Sequence, residues 1–311
     1  MKLVKSLGVF RRPISTYSIV AIDKKEGLMG VAVQSHWFSV GSVVPWVEAG
    51  VGVVATQSIA EISYGVLGLL LMKNGKTPEQ TLKALTAVDP NSEVRQVAML
   101  SADGKIATFT GKNCIPEAGH ITGENFSVQA NLMTSKEVWP AMASAFSKTN
   151  GNLVEKMIAS LEAAETAGGD IRGRQSAAIV VVRTKASNEP WKDKVLDLRV
   201  EDHPNPVFEL KRLVRIHNAY EHANRGDEFM AVGNISGAMR EYEYAAKEAP
   251  EIDELKFWQA IAMLNHGMVR EARDILKDIF KRNEGWKKVL KSLPKVGFLL
   301  TDEKTLNLVL E

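Results

Sequence analysis

Residues 15–35, STYSIVAIDKKEGLMGVAVQS, contain the pattern that decides the fold. Apolar residues typical of β-strands dominate positions 17–22 and 28–35 on either side of a short polar segment. That segment, residues 23–27 with the sequence DKKEG, has the length and the glycine of a hairpin loop. The stretch therefore predicts two antiparallel strands, and a third apolar stretch at positions 51–57 extends them into a meander.

Helix and strand patterns then alternate as far as residue 183. The first predicted elements are a helix over 64–73 and a second helix, which the N-cap and capping box TPEQ open at 77–80. A hairpin over 95–110 and a strand over 126–132 follow. Helices from Ser135 to Phe146 and over 153–167 come next, and a strand over 176–182 that is buried on both faces ends the series. This order favours an α/β fold in which two stacked sheets lie between helical layers, a four-layer αββα sandwich.

The chain changes character after Arg183. Residues 185–206 are polar and proline-containing, which predicts a linker between a domain at 15–184 and an all-α domain at 207–311. Three residues of this tail recur 34 positions later, the period of a tetratricopeptide repeat: Gly233 as Gly267, Ala238 as Ala272 and Tyr242 as Leu276. One such repeat is too short to stand alone, so we expect part of its apolar surface to pack on the first domain or on a second subunit.

Composition narrows the class of protein. The 39 basic and 37 acidic residues leave a formal charge of +2, which gives no reason to expect a nucleic-acid partner. No apolar run approaches the roughly 18 residues of a membrane span, so no membrane partner is expected. The single cysteine, Cys114, fits a reducing compartment, and the cytoplasm is the expected location. Residues 1–14 are interpreted as a leader or propeptide-like arm without the apolar segment of a secretory signal.

Common catalytic motifs are absent from the sequence. It has no HExxH zinc motif, no P-loop, no GxGxxG after a strand and no GxSxG elbow. We therefore expect neither a metal nor a cofactor.

Five separated segments carry a resemblance to a known family: STYSIVAID at 15–23, GVAVQSHWFSVGSVVPW at 30–46, GVGVVATQS at 50–58, FTGKNCIPEAGHITGENFSVQAN at 109–131 and GGDIRGRQSA at 168–177. They resemble an uncharacterised family of the N-terminal-nucleophile hydrolase superfamily, the domain of unknown function numbered 1028. The resemblance covers about residues 15–183, and the tail is similar to a helical extension that some members carry. It implies the layered fold and an amide-bond hydrolase, but no particular substrate.

The resemblance also implies a nucleophile. In that superfamily the first residue of the mature chain attacks with its hydroxyl or thiol, and its own α-amine, with a pKa near 8, serves as the base. Thr16 holds this position, provided that self-cleavage at the Ser15–Thr16 bond or a protease removes the preceding residues. Ser15 would be exposed by a cut one bond earlier, and Ser18 points to the same face as Thr16 and is expected to assist. The alternative is that Thr16 simply begins an unprocessed strand.

Asp170 resembles the carboxylate that orients the nucleophile's amine in threonine-type members. A nearby carboxylate would favour the charged ammonium, and Arg172 or Arg174 would moderate its charge. The alternative is a loop aspartate that only pairs with these arginines. Threonine-type members also keep a lysine on the strand beside the nucleophile, whereas the corresponding stretch here, residues 43–48, is VVPWVE.

Polar residues at other strand ends are candidates for substrate binding. Ser35, His36 and Gln57 close two of the predicted strands and are expected to line the cleft above the nucleophile. Gln129 and Asn131 project from one face of their strand, and Asn131 is the candidate oxyanion donor. Each of these side chains has a purely structural alternative, as a surface residue or a buried, hydrogen-bonded amide.

A cysteine–histidine dyad of Cys114 and His120 is the last chemical possibility in the sequence. Nothing local orients the pair, so we interpret Cys114 as a small apolar residue and keep His120 as a substrate-binding candidate in a glycine-rich loop.

Two functional hypotheses follow. The first is a cytoplasmic hydrolase of small-molecule or short-peptide amide bonds, acting through processed Thr16 and forming a dimer. The second is an unprocessed, catalytically silent ligand-binding or scaffold protein of the same fold. The missing lysine and the retained arm favour the second.

Overall fold

The computed structural model describes residues 13–311, so most of the predicted arm at 1–14 lies outside the described residues. Two compact units divide the chain, the first ending at Lys211 and the second spanning Arg212–Glu311. In the described residues the fold is mixed α/β, with two antiparallel sheets and a C-terminal helical region.

The strands, numbered in chain order, are β1 (Thr16–Asp23), β2 (Leu28–Ser35), β3 (Pro45–Glu48), β4 (Gly52–Ser58), β5 (Arg95–Ser101), β6 (Ile106–Thr110), β7 (Gly119–Thr122), β8 (Phe126–Asn131), β9 (Ser176–Arg183) and β10 (Lys194–Val200). The helices are α1 (Ser63–Lys73), α2 (Pro78–Val88), α3 (Val138–Lys148), α4 (Leu153–Thr166), α5 (Pro190–Asp193), α6 (Pro206–Ala231), α7 (Ile235–Glu248), α8 (Asp253–Asn265), α9 (Val269–Arg282), α10 (Gly285–Ser292) and α11 (Glu303–Leu310). Among residues 13–311, every helix is too short or too polar to cross a lipid bilayer.

A six-stranded sheet in the order β10-β9-β2-β1-β8-β7 carries β1 near its centre. The predicted β1–β2 hairpin is confirmed, with Thr16 opposite Ser35 and Asp23 opposite Leu28. The prediction that the strand over 176–182 is buried on both faces is also confirmed, because every residue of β9 except Arg183 is buried.

The second sheet has four strands in the order β3-β4-β5-β6. Strand β3 falls within residues 43–48, the stretch that the sequence analysis placed beside the nucleophile's strand. That placement is wrong, because β3 pairs with β4, whereas β1 pairs with β2 and β8. Neither β2 nor β8 contains a lysine, so the departure from the threonine-type pattern still holds.

The segment 185–206, predicted as a linker, contains α5 and the edge strand β10. Strand β10 pairs antiparallel with β9 and completes the larger sheet. Its sequence, KVLDLRV, alternates buried Leu196 and Val200 with exposed Asp197 and Arg199, the period of a half-buried edge strand. The alternation was present in the sequence, but the prolines and polar residues around it suggested a linker.

Two helices pack on each sheet. Helices α1 and α2 share a buried apolar cluster with β4 and β5, while α3 and α4 contact β1, β2 and β8. The predicted capping box at the start of α2 is confirmed, since Thr77 and Gln80 exchange side-chain and backbone hydrogen bonds. Ser135, by contrast, does not cap α3, which begins at Val138; its hydroxyl accepts from the backbone amide of Glu137, the residue just before the helix.

A further hydrophobic cluster draws side chains from both sheets. Val20 and Val31 of the larger sheet lie in it together with Val53 and Ala98 of the smaller one. Strand β1 therefore has helix α4 on one side and the other sheet on the opposite side.

We expect Gly65→Ala in α1 to lower the free energy of unfolding by about 1–3 kcal/mol, the usual cost of overpacking. An added Cβ would overlap the ring of Trp46, and that ring is held in place by a hydrogen bond from its Nε1 to the Val43 carbonyl oxygen, 2.9 Å. Urea denaturation of both proteins measures the difference. Gly68→Ala is the matched control, because its Cβ would overlap no ring and would meet the flexible end of Met99 at 3.1 Å and Cγ2 of Val54 at 3.3 Å. Equal stability of the two variants would contradict the prediction.

The second unit is helical, from the remainder of α6 through α11. Helices α8 and α9 contact each other, and buried side chains of both contribute to its main apolar cluster. The positions that recur in the sequence have similar environments: Gly233 and Gly267 have φ of 77° and 78°, Ala238 and Ala272 are fully buried, and Tyr242 and Leu276 are buried as well.

Candidate functional site

A row of hydroxyl and amide side chains crosses one end of the larger sheet. Thr16 lies directly opposite Ser35 of β2 and Asn131 of β8. Residues paired in this way in antiparallel strands point to the same face of the sheet. All three residues are fully buried. The topology therefore brings together three residues that the sequence analysis selected separately.

The residues before Thr16 cover this row. Ile14 forms an antiparallel bridge with Ser58 at the end of β4, through backbone hydrogen bonds of 2.7 and 3.1 Å. Ile14 and Ser15 are buried, and the Thr16 hydroxyl donates to the Ile14 carbonyl oxygen at 2.8 Å. In the intact chain, the candidate nucleophile is thus closed off from solvent by the segment that precedes it.

The carbonyl group of Ser15, which belongs to the peptide bond before Thr16, accepts two side-chain hydrogen bonds. One comes from the Ser35 hydroxyl, and the other from Nη2 of Arg172 at 3.1 Å. Nη1 of Arg172 also donates to the Pro13 carbonyl oxygen at 3.4 Å. Because one donor is a cation and the group is buried, the Ser15 carbonyl is strongly polarised.

Asp170 holds Arg172 in this position. One carboxylate oxygen accepts from the backbone nitrogen and Nε of Arg172 at 2.9 and 3.1 Å, and the other accepts from Nη2 at 2.8 Å. The backbone nitrogen of His36 donates to the same carboxylate at 3.2 Å. The Asp170 side chain is fully buried, and its hydrogen bonds within residues 13–311 do not include one to Thr16. In the intact chain, Asp170 therefore positions Arg172.

Next to this row lies a buried amide network, formed by Ser18, Gln57, Gln96, Gln129 and Asn131. The Ser18 hydroxyl donates to Oε1 of Gln57 and accepts from Nε2 of Gln129, both at 2.6 Å. Nε2 of Gln57 donates to Oε1 of Gln96 at 2.7 Å and to the Thr16 carbonyl oxygen at 3.2 Å. Ser18, Gln57 and Gln129 thus tie the two sheets together beneath Thr16.

Asn131 belongs to the same network through its nitrogen. Its Nδ2 donates to Oε1 of Gln96 at 3.0 Å, whereas its buried Oδ1 has no partner in the described residues. Two non-glycine residues with left-handed backbone, Ser58 with φ of 72° and Leu132 with φ of 57°, follow directly after Gln57 and Asn131. Such strained conformations persist only where surrounding contacts hold the backbone in place, and they cluster at functional sites.

Arg174 is not brought to the row. It forms an ion pair with Glu165 of α4, and its Nη1 donates to Asn205 at 2.8 Å. Glu165 also accepts a hydrogen bond from the Tyr17 hydroxyl, so this group lies on the face of β1 opposite to Thr16. Burial raises the pKa of the Glu165 carboxyl, and burial together with Glu165 raises that of Tyr17.

His120 also lies apart from Thr16, on the edge strand β7 with β8 between them. Its Nδ1 is 2.8 Å from the hydroxyl of Thr110, and the surrounding protein lowers its pKa. Cys114 and His120 line one cavity, but the Cys114 thiol donates to the Arg95 carbonyl oxygen at 3.3 Å. The two side chains do not bond to each other.

We expect Cys114 to resist alkylation in the folded protein. Burial raises the pKa of its thiol, so the reactive thiolate is scarce near neutral pH, and the side chain is only 8% exposed. Reaction with iodoacetamide should be at least about 100-fold slower than in urea-unfolded chain at the same pH. Mass spectrometry over time measures the two rates. Equal rates would revive the cysteine–histidine hypothesis.

Gln96, the residue that connects most of the amide network, was not among the predicted site residues. It accepts from Gln57 and Asn131, and its Nε2 donates to the Ala130 carbonyl oxygen and the Thr110 hydroxyl, both at 2.9 Å. The sequence did contain a sign of this role: the glutamine directly precedes the apolar run VAML in the strand RQVAMLS, and a buried amide requires hydrogen-bond partners. Among residues 13–311, no group of three or more His, Cys, Asp or Glu is arranged to hold a metal ion.

Comparison with known proteins places the chain in a family. No curated protein matches the chain significantly. The crystal structure of a protein from Silicibacter pomeroyi, which carries the family description DUF1028, is similar, with 28% sequence identity and a TM-score of 0.59 over 65% of this chain and 88% of the other. The model of the family of unknown function DUF1028 matches residues 16–210, so its match begins at Thr16. Because this match covers most of the chain, the protein belongs to the DUF1028 family.

Proposed function

We propose that the intact chain is the precursor of an amide hydrolase whose nucleophile is Thr16 and whose α-amine becomes the base after residues 1–15 are removed. The observation that carries this proposal is the Ser15 carbonyl, which accepts hydrogen bonds from Ser35 and Arg172 immediately before a buried threonine hydroxyl. Donors placed on a carbonyl oxygen stabilise the negative charge that develops when a nucleophile attacks its carbon.

The same bond can therefore be cut by the chain itself. The Thr16 oxygen attacks the Ser15 carbonyl carbon, the C–N bond breaks, and the hydroxyl proton ends on the released amine. Water then hydrolyses the resulting ester, giving a Ser15 carboxylate and a chain that begins at Thr16. The Thr16 hydroxyl must first leave its hydrogen bond to the Ile14 carbonyl oxygen.

Removal of residues 1–15 also prepares the site for substrate. Once Ser15 departs, the Ser35 hydroxyl and Nη2 of Arg172 lose their acceptor next to the new nucleophile. We propose that the carbonyl oxygen of the substrate takes that position. Asp170, which already positions Arg172, is then a candidate to orient the Thr16 amine, and Asn131 is a further candidate donor. The expected substrates are small-molecule or short-peptide amides.

The fold type, the nature of the helical tail, the oligomeric state and the location are part of the same proposal. Contacts of each sheet with two helices, and of the sheets with each other, support a four-layer αββα sandwich of the N-terminal-nucleophile hydrolase type. The matching environments at 34-residue spacing support a tetratricopeptide-like tail. A homodimer in the cytoplasm remains the expectation for the whole protein, with Ser35, His36, Gln57 and Gln129 closest to the substrate among the predicted binding residues.

A second candidate function is an unprocessed, catalytically silent ligand-binding or scaffold protein. Two observations favour it: Thr16 is fully buried under Ile14 and Ser15, and neither strand beside β1 supplies a lysine. In this case the polar contacts of the Ser15 carbonyl serve only to anchor the N-terminal segment.

The intact mass of the purified protein separates the two functions. After incubation near pH 8, we expect a shortened species that begins at Thr16 by N-terminal sequencing. A chain that stays at 34.2 kDa, alone and in a native lysate, would overturn the hydrolase proposal and support the binding protein.

A further inference from the structure

A cavity of about 600 Å³ opens at the edge of the first unit, between the ends of β6 and β7, the loop between them and the start of α3. Gly119 and His120 lie in its wall and pair with Ala130 and Gln129 of β8. Strand β8 separates the cavity from β1, so Thr16 lies about two strand spacings, roughly 10 Å, away. The proposed hydrolysis uses none of the charged groups in this cavity.

Hydrogen bonds fix what His120 presents to the cavity. Nε2 of Gln96 carries two hydrogens, and its two shortest contacts are to the Ala130 carbonyl oxygen and the Thr110 hydroxyl, both at 2.9 Å. The hydroxyl proton of Thr110 is then directed to Nδ1 of His120 at 2.8 Å. His120 therefore carries its proton on Nε2, which becomes a hydrogen-bond donor for a ligand.

Two charged side chains of the cavity wall, one of each sign, make no ion pair within the described residues. Lys136 and Glu117 both line the cavity, and neither makes an ion pair within residues 13–311. Lys112 in the same wall has one, with Glu93 at 3.8 Å. A small ligand that carries both an anionic and a cationic group would complement Lys136 and Glu117 at once.

The remaining wall is apolar and includes Pro116, Ala118 and Trp139. The Trp139 ring packs directly over Gly119, where an added Cβ would come within 2.6 Å of the indole. Gly119 thus allows the ring to lie close against β7, where it contributes an aromatic surface to the cavity wall. Such a surface suits the apolar body of a ligand.

We propose that this cavity binds a small zwitterion with an apolar body, of the class of a free amino acid or dipeptide. The ligand carboxylate lies against Lys136 and accepts from Nε2 of His120, its ammonium lies against Glu117, and its apolar part contacts Trp139. The volume lies within the range of roughly 300–1,000 Å³ that is typical of small-molecule sites. Binding requires neither cleavage before Thr16 nor hydrolysis, so it goes beyond the proposed function.

Isothermal titration with matched probes tests the charge requirement. L-Phenylalanine and glycyl-L-phenylalanine carry both charges, whereas 3-phenylpropionate lacks the ammonium and 2-phenylethylamine lacks the carboxylate. We expect at least one zwitterion to bind, and each single-charge analogue to bind at least about tenfold more weakly. No binding of either zwitterion at about 10 mM, or equal affinity of the analogues, would overturn the proposal.

Variants locate the binding. Lys136→Met and Glu117→Gln should each weaken zwitterion binding at least about tenfold, whereas the exposed Lys148→Met and Glu124→Gln should leave it unchanged. Circular dichroism checks that all four variants are folded. The Thr16→Ala variant should bind as the natural chain does, which keeps this result separate from the fate of the hydrolase proposal. Equal losses in the cavity variants and their controls would contradict the site.

Discussion

Thr16→Ala should leave the chain at its full 34.2 kDa under conditions in which the natural chain loses its N-terminal segment, and amide hydrolysis should fall to background. One hydroxyl is required in both steps: it attacks the Ser15 carbonyl during processing and the substrate carbonyl afterwards. Intact mass over time and release of amine from amide substrates measure the two effects. The loss is expected to be complete, because alanine offers no oxygen nucleophile.

Two further variants show whether the effect belongs to the Thr16 hydroxyl. Thr16→Ser keeps a hydroxyl at the same position and should still be cleaved. Ser18→Ala removes a hydroxyl that bonds to Gln57 and Gln129 in the buried network, so it should lower stability by about 1–3 kcal/mol but still allow cleavage. Cleavage of Thr16→Ala at the natural rate would show that another residue, or a protease, cuts the chain.

Local sequence patterns predicted much of the first unit. The β1–β2 hairpin follows from apolar runs on either side of a polar loop with Gly27, whose φ of 68° favours glycine. The capping box of α2 follows from Thr77 and Gln80, which exchange hydrogen bonds as their spacing requires. These features depend on residues a few positions apart, so a single sequence contains the information.

The contacts that define the candidate site could not be predicted in this way. Arg172 meets the Ser15 carbonyl across 157 positions of sequence, because β1 and β9 begin, and β2 ends, at the same end of the sheet. The spacing of two residues predicts that Arg172 pairs with Asp170, but nothing in a local pattern indicates that Arg172 also reaches Ser15. The same holds for Gln96, whose partners come from both sheets.

Arg174 illustrates the limit of reasoning from proximity in sequence. It lies two positions from Arg172 and was given the same expected role, yet it pairs with Glu165 on the opposite face of β1. The two arginines therefore offer a matched pair for experiment, since they have the same chemistry and differ in the face of the sheet that they reach.

Arg172→Met and Ser35→Ala should each slow cleavage of the Ser15–Thr16 bond by about 100- to 1,000-fold, the usual loss when one donor to a developing oxyanion is removed. Ser35→Ala is the cleaner variant. Arg172→Met also leaves the buried Asp170 carboxylate without its cation, so it should lower stability as well. The rate constant for loss of full-length mass near pH 8, measured well below the melting temperature of each variant, separates slow chemistry from poor folding.

The arginine pair supplies the decisive comparison. Arg174→Met should lower stability, because it leaves Glu165 without its ion pair, but it should cleave at close to the natural rate since Glu165 lies on the other face of β1. Arg172→Lys keeps the charge but not the forked geometry that bonds Asp170 and Ser15 together, so its rate should lie between those of Arg172→Met and the natural chain. If Arg172→Met and Arg174→Met cleave equally fast, the contacts of the Ser15 carbonyl anchor the N-terminal segment rather than activate its peptide bond.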